Sequence, residues 1–524
     1  MSEQAFSIRT LGDITRYHAQ VRPEKTAMIY AEDGRSWTFK DLDDETNQCA
    51  QALKAAGVGS QDRVAYLDHN APEYFTWLFG TAKLNAVSVA VNWRLAPPEM
   101  EYILNHSDSK VLLIGEEFLP QLAQMELQCK TIVVLGDPGD SGYPTYHQWL
   151  AAHGKEDPNL PAHAEDTVYQ LYTSGTTGLP KGVLTTHANL LAVMGPGLLP
   201  LAFDENSVNL VCMPLFHISG SGWGLTGIYL GATSILLRTV DMQAILRAIP
   251  EHGVTHSVFV PAVLQFLVSQ PNAREVDYSS LRSVAYGASP ITEQVLVDAM
   301  ETFGANFFQV YGLTETTGGV TMLLPEDHDP GGPRAGLLRS CGKATLNHEA
   351  QIVDSETGLA VAEGEVGEIW LRGPQIMRGY WQNEDATRDS ITSDGWFKSG
   401  DAGYMIDDYV YIHDRVKDMI ISGGENIYPA EVENVLMKHD GVKDVAVIGV
   451  PDDRWGETVK AIVTRASDQV SEADLFAFCR KNLATYKCPT SIDWMDEIPR
   501  NPSGKILKTE LRKPYWQGRS RNVS

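Results

Sequence analysis

The sequence predicts an α/β protein. It has a large N-terminal domain of several subdomains, parallel α/β sheets plus a small β unit, followed by a small α+β C-terminal domain. Three observations carry this expectation. Short apolar runs alternate with amphipathic helical stretches from Thr10 to about Ala162 and again from Val208 to Tyr311, the pattern of parallel sheet covered on both faces. From about Arg339 the texture changes to short β-like segments joined by turns. After Pro429, strands and helices alternate again in one compact run.

In the first part Leu42, Thr46, Cys49, Ala50 and Leu53 fall on one helical face, and strands are expected at Val64–Leu67, Val87–Val91, Val111–Ile114 and Ile132–Leu135. No residue type here points to specific chemistry. Val168–Tyr172 reads as a strand, Thr186 opens a helix, and Val208–Pro214 reads as a buried strand ending at a proline, with His217 just beyond it. Strands recur at Ser234–Leu237, Ser257–Val260, Ser283–Gly287 and Phe307–Tyr311. The β unit begins with Ala350–Val353 and Gly367–Leu371, then a hairpin from Gly403 to Ile412 turning at Asp407-Asp408. The last part offers an apolar strand at Ile420-Ile421, a helix from Ala430 to His439, strands Val445–Val450 and Thr458–Val463, and a helix capped by Ser471 with Asp474 three residues on.

Composition narrows the function classes. At 524 residues with 43% hydrophobic and 9% aromatic content, the chain can build ordinary globular cores. A formal net charge of −25 argues against nucleic acid as a partner. Six cysteines lie scattered without a Cys-x-x-Cys pair, so neither a zinc site nor a disulfide framework is indicated, and a reducing cytoplasm is expected. No run of about 18 apolar residues suggests a membrane span or signal peptide. The basic tail with Tyr515 and Trp516 is expected to be solvated, with weak peripheral membrane contact as the alternative.

Chemistry is concentrated in a few stretches. Tyr172-Thr173-Ser174-Gly175-Thr176-Thr177-Gly178-Leu179-Pro180-Lys181-Gly182 combines three glycines, four Ser/Thr hydroxyls and one lysine. Glycines let backbone N–H groups approach an anion, hydroxyls add donors, and Lys181 adds positive charge, as a triphosphate requires. It is not a Walker A loop, because Lys181 follows Pro180 and precedes Gly182. Gly287-Ala288-Ser289 follows a strand directly and would let a flat ring lie against the backbone. In Gln309-Val310-Tyr311-Gly312-Leu313-Thr314-Glu315 the carboxylate beside hydroxyls suits Mg²⁺. Asp401 and Arg415 flank the hairpin, Gly423-Gly424 makes a turn before a helix, and Lys505 sits on a Pro/Ser/Gly turn. Read one at a time, a solvated surface residue accounts for Glu315, Asp401 or Lys505, and an ordinary strand–helix turn for the glycines.

Taken together these stretches, from Tyr172 to Lys505, resemble the motifs of the adenylate-forming superfamily, which contains acyl-CoA synthetases, peptide-synthetase adenylation domains and firefly-type luciferases. The layout is most similar to fatty-acid–CoA ligases. The resemblance implies ATP, Mg²⁺ and CoA as cofactor and co-substrates, and a carboxylic acid converted through an acyl-adenylate to acyl-CoA. It implies catalytic roles for Lys505, Glu315, Thr314 and Lys181, with Mg²⁺ on Glu315. Nucleotide contacts would come from Thr173, Ser174, Gly175, Thr176, Thr177, Gly178, Lys181, Gly287, Ala288, Ser289, Gln309, Tyr311, Gly312, Thr314, Asp401, Arg415 and Lys505. Tyr311 would stack on adenine, and Asp401 with Arg415 would hold the ribose. His217, Trp223 and Gly312 would line the acid pocket, and Phe216 to Gly224 holds no Asp to pair with an α-amine, which disfavours an amino-acid substrate. Lys417 would be the pivot between domains 1–416 and 417–524, with the smaller one mobile, and Gly423-Gly424 would offer backbone to CoA. The alternatives are an aryl- or cinnamate-type CoA ligase, an acyl-AMP ligase loading a carrier protein, a luciferase-type monooxygenase and a non-catalytic binding module. A monomer or homodimer is expected.

Overall fold

The computed structural model describes residues 8–173, 179–289, 291–354, 357–415, 418–422, 425–452, 455–467, 470–483, 485–500 and 506–517. Among the described residues the strands form four sheets. The seven-stranded first sheet runs Gly379–Tyr380, Lys181–Thr186, Thr167–Thr173, Val87–Ala90, Arg63–Leu67, Ser109–Gly115, Thr131–Leu135. Its last five strands are parallel and its first two antiparallel. The nine-stranded second sheet is parallel from Asn306–Leu313 through to Thr26–Tyr30 and antiparallel at both edges. Both sheets thus have the parallel body that the sequence predicted, with antiparallel strands added at their edges. Lys181–Thr186, Ser36–Thr38 and Gly318–Leu323 are hairpin returns of their neighbours, while Gly379–Tyr380 and Lys343–Ala344 join the edges from further along the chain.

The main core lies between these sheets. The helix Pro72–Lys83 is buried at every residue and packs Tyr74, Phe75, Trp77 and Phe79 into a cluster that takes in Val64 and Val111 of the first sheet and Val211 and Leu236 of the second. Lys83 is buried within it, its ammonium 2.6 Å from both Asp43 and Asn47.

The site is carried by few elements: β1 (Thr167–Thr173), β2 (Lys181–Thr186), α1 (His187–Val193), α2 (Ile218–Leu230), β3 (Ser283–Gly287), β4 (Asn306–Leu313), β5 (Gly379–Tyr380), β6 (Phe397–Ile406) and β7 (Tyr409–Arg415). Thr186 caps α1 through a hydrogen bond from the Asn189 amide, as its position before the helix predicted. The strand before His217 stops at Val211, short of the expected Pro214, and His217 is the N-cap of α2 rather than a strand-end residue. Past Val211 the backbone turns to a side chain instead of a neighbouring strand, with Asn70 donating to the Met213 carbonyl and accepting from the Leu215 amide.

β6 and β7 belong to a third, antiparallel sheet with Glu349–Val353 and Gly367–Arg372. Their turn, Asp407 and Asp408 at φ 51° and 67°, is left-handed at both central positions, the geometry of a two-residue hairpin. The fourth sheet, Glu425–Ile427, Ile420–Ser422, Gly456–Arg465, Val442–Asp452 and Ser491–Trp494, has its own core with Ile420, Leu436, Val447, Val463 and Leu475. Ser471 and Asp474 form the expected capping box there.

Candidate active site

The register of the β1–β2 hairpin places Thr173 opposite Lys181, so the glycine- and hydroxyl-rich stretch closes a hairpin and Lys181 lies on the returning strand, not within a loop. Ser174, Gly175, Thr176, Thr177 and Gly178 lie outside the described residues. Tyr172, the residue before the hairpin end, is fixed by His106 at 2.8 Å and Gln170 at 3.1 Å.

Across from β2, the chain after β4 makes a single 3-10 turn, Thr314–Thr316, which presents Thr314 and Glu315 half-buried. Close approach dictates the glycines around it. A Cβ on Gly312 would lie 1.8 Å from the Gly318 carbonyl oxygen, and one on Gly287, at the end of β3, 2.0 Å from that of Val310. Ala288 follows with φ 68°, exposed, and Ser289 is half-buried. Tyr311 is buried and its hydroxyl donates to Asp401 at 2.8 Å, so two of the expected nucleotide contacts touch each other. Burial and the adjacent carboxylate push the Tyr311 phenol well above its ordinary pKa.

One residue that sequence reasoning missed joins the two halves. Tyr380, on β5, donates its hydroxyl to Glu315 Oε1 at 3.0 Å while its ring lies beneath the Lys181 ammonium, 4.8 Å from the ring centre. β5 pairs directly with β2, Tyr380 opposite Val183. The segment leading to it is bonded at almost every residue. Asn189 of α1 donates to the Pro374 and Ile376 carbonyls, Thr317 donates to that of Gln375, the Met377 amide donates to the Glu315 carbonyl, and the Arg378 and Trp381 amides donate to Leu184 and Gly182. Trp381 also donates its indole N–H to His106 and lies under the Arg63 guanidinium. The only sequence signal is a Gly-Tyr-Trp triplet outside any periodic segment.

At the start of α2, His217 carries an Nε2 that is buried without a hydrogen-bond partner among the described residues. Burial holds its pKa down at about 4, so the imidazole is neutral at physiological pH. Trp223, one turn and more along α2, is buried against Phe203 with its indole N–H likewise unpartnered. Gln309 sits on β4 opposite Tyr286 of β3.

Of the remaining expected residues, Arg415 ends β7 opposite Asp401 in register. Lys417, Gly423, Gly424 and Lys505 lie outside the described residues.

Residues 15–381 match a family model described as AMP-binding enzyme, and residues 431–505 match the AMP-binding enzyme C-terminal domain. The chain is 39% identical to a fatty acid–[acyl-carrier-protein] ligase of Streptomyces coeruleorubidus over 99% of its own length and 98% of the relative's. It is 35% identical to a long-chain-fatty-acid–CoA ligase of Mycobacterium tuberculosis, covering 97% and 99% of the two chains. Among solved structures, an anthranilate CoA ligase in complex with anthranoyl-AMP superposes with a TM-score of 0.87 at 29% identity, covering 97% of each chain.

Proposed function

The chain belongs to the AMP-binding enzyme family, and from that premise we propose that it is an ATP-dependent acid–thiol ligase. Its acid is a medium- or long-chain fatty acid, its thiol that of CoA, and its by-products AMP and pyrophosphate. The observation that carries this reading is the joint placing of Lys181 and Glu315 on one aromatic ring at the end of the β1–β2 hairpin. A nucleoside triphosphate calls for both, a cation against its departing phosphates and a carboxylate for its Mg²⁺.

The donor set fits that ion. Glu315 offers a single carboxylate beside Thr314, and the described residues hold no group of three or more His, Cys, Asp or Glu suited to a metal. Mg²⁺ characteristically takes one or two protein carboxylates and completes its shell with water and substrate phosphates. Bound there, it supplies charge stabilisation to the phosphate oxygens.

The acid's oxygen attacks the α-phosphate and pyrophosphate leaves. Lys181 with Thr173 to Gly178 clamps the departing phosphates, and Lys505 stabilises the charge that develops on the α-phosphoryl oxygens. Asp401 and Arg415 hold the ribose, while Gly287, Ala288, Ser289, Gln309 and Tyr311 border the adenine. His217, Trp223 and Gly312 wall the acid pocket, where the unpartnered His217 Nε2 gives a neutral ring nitrogen to a ligand.

For the second step the 417–524 domain turns about Lys417, withdraws Lys505 and brings in Gly423-Gly424 for the thiol. The chain leaves the third sheet at Arg415 and enters the fourth at Ile420, and Asp418 is already ion-paired with Arg512 near the C-terminus, which supports a pivot between them.

The fatty acids named in two relatives favour a fatty substrate. Ring-bearing acids are the second reading, favoured by the two unpartnered ring N–H or N edges of His217 and Trp223 and by the anthranilate neighbour. The carrier-protein relative makes acyl-carrier protein the alternative acceptor. Pyrophosphate release with ATP and Mg²⁺ is to be measured over fatty, aryl and hydroxycinnamic acids, each with and without CoA. Release with fatty acids that rises with CoA is expected. Release indifferent to CoA would transfer the acceptor role to a carrier protein, and no release with any acid would overturn the enzyme reading.

A further inference from the structure

We infer that Tyr380 is a positioning residue that keeps Lys181 and Glu315 apart, so that each charge is presented to the nucleotide instead of neutralising the other. The inference rests on the reading of this cleft as an ATP site, and deepens it.

A lysine and a glutamate that share one neighbouring ring are within reach of a direct ion pair, and an opposite charge at contact distance is the default partner for either. Among the described ion pairs Lys181 and Glu315 are not joined to each other; both meet Tyr380 instead, Lys181 on its ring and Glu315 on its hydroxyl. Its chemistry suits a spacer between unlike charges. The electron-rich face attracts the ammonium, and the hydroxyl at the far end donates to the carboxylate. One uncharged side chain thus satisfies both ions without cancelling either. A carboxylate here would neutralise Lys181, a lysine would neutralise Glu315, and an aliphatic side chain would hold neither.

A spacer works only if it cannot move aside. Tyr380 is 9% exposed, its amide donates to Thr387 Oγ1 at 2.9 Å, and its strand is paired to β2. The chain before it is tied to α1, to the Thr314–Thr316 turn and to β2 by the bonds from Pro374 to Trp381, so the ring is held by the same two elements whose charges it separates.

Two substitutions divide the roles. Tyr380→Phe keeps the ring and the separation but removes the hydroxyl. Tyr380→Ala removes both and lets Lys181 close on Glu315. Calorimetric ATP affinity in the presence of EDTA reads Lys181 without the metal, and a Mg²⁺ titration of ATP binding reads Glu315. Tyr380→Phe is expected to leave the metal-free affinity unchanged and to raise the Mg²⁺ needed for half-maximal enhancement about 5-fold. Tyr380→Ala is expected to weaken metal-free ATP binding about 10-fold. Adding Glu315→Gln to Tyr380→Ala is expected to restore most of that loss, because it frees Lys181. Glu315→Gln alone measures the gain that removing a negative charge near ATP gives in any background, and a rescue in Tyr380→Ala that exceeds this gain is one that a merely structural role does not produce.

Thermal melts accompany each variant, and the Phe variant carries the test where the Ala variant melts early. Wild-type ATP binding with no change in the Phe variant's Mg²⁺ requirement, or an Ala loss that Glu315→Gln leaves in place, overturns the spacer alone. Wild-type protein that binds no ATP overturns the reading of the cleft and the spacer with it.

Discussion

At the scale of single residues, Lys505 carries the sharpest expectation. Lys505→Ala should reduce adenylate formation by two orders of magnitude or more while sparing thioester formation from a supplied acyl-adenylate, because its charge is needed only while the α-phosphoryl group is transferred; half-reaction assays with equal losses would remove it from that role. A second expectation concerns Asp68, whose pKa burial raises to about 7 despite the backbone bond from His69 and the nearby Arg238. With a folded pKa above the ordinary carboxylate value, the native state binds the proton more tightly than the unfolded chain. Asp68 therefore costs stability progressively as pH climbs from about 4 to 7, and the cost is constant above that. Asp68→Asn should flatten the pH dependence of Tm in that window and raise Tm at pH 8. Lys181 stood out through its glycine- and hydroxyl-rich stretch, whereas Glu315 and Asp401 were singled out by the family resemblance, because a lone carboxylate reads as a solvated surface residue. Tyr380 was not, because its role arises from the register of β5 on β2 and from a bond to a turn that is distant in the chain.

Among elements, the turn between β6 and β7 was readable to the residue, since two aspartates between alternating strands leave little choice of turn, although the strands run on to Phe397 and Arg415 beyond the expected Gly403 and Ile412. Both aspartates hold left-handed backbone, which costs a residue with a Cβ about 1 kcal/mol relative to glycine. Replacing Asp407-Asp408 with Asn-Gly is accordingly expected to stabilise the protein by about 1 kcal/mol in denaturant melts without altering nucleotide affinity. Helix Pro72–Lys83 went unread for a physical reason. It is buried on every side, so its apolar residues show no amphipathic period to count. α2 was obscured by its glycines, which propensity reads as a loop. Gly224 is required there because a Cβ would lie 2.5 Å from the Phe75 ring that packs on it.

For the whole molecule, the two-part organisation followed from the alternation of elements, whereas the pivot rests on resemblance. Lys417→Pro, by stiffening that point, should slow CoA-dependent turnover more than pyrophosphate release with acid and ATP alone; equal effects would locate the turning point elsewhere. Asp418 and Arg512 form a buried ion pair that closes the start of the small domain onto its last helix. Arg512→Ala removes the cation from a buried ion pair and should destabilise that domain by about 3 kcal/mol, read as faster hydrogen exchange in strands Val442–Asp452 and Gly456–Arg465. During synthesis Lys181 leaves the ribosome long before Tyr380, its neighbour in the finished sheet. A nascent chain that has passed Glu315 but not yet reached Tyr380 has Lys181 and Glu315 free to collapse onto each other. Translation past Trp381 is thus the event after which the two charges are held apart, ahead of Asp401 and Arg415, and truncated products ending earlier should fold their α/β layers yet fail to be rescued by ATP.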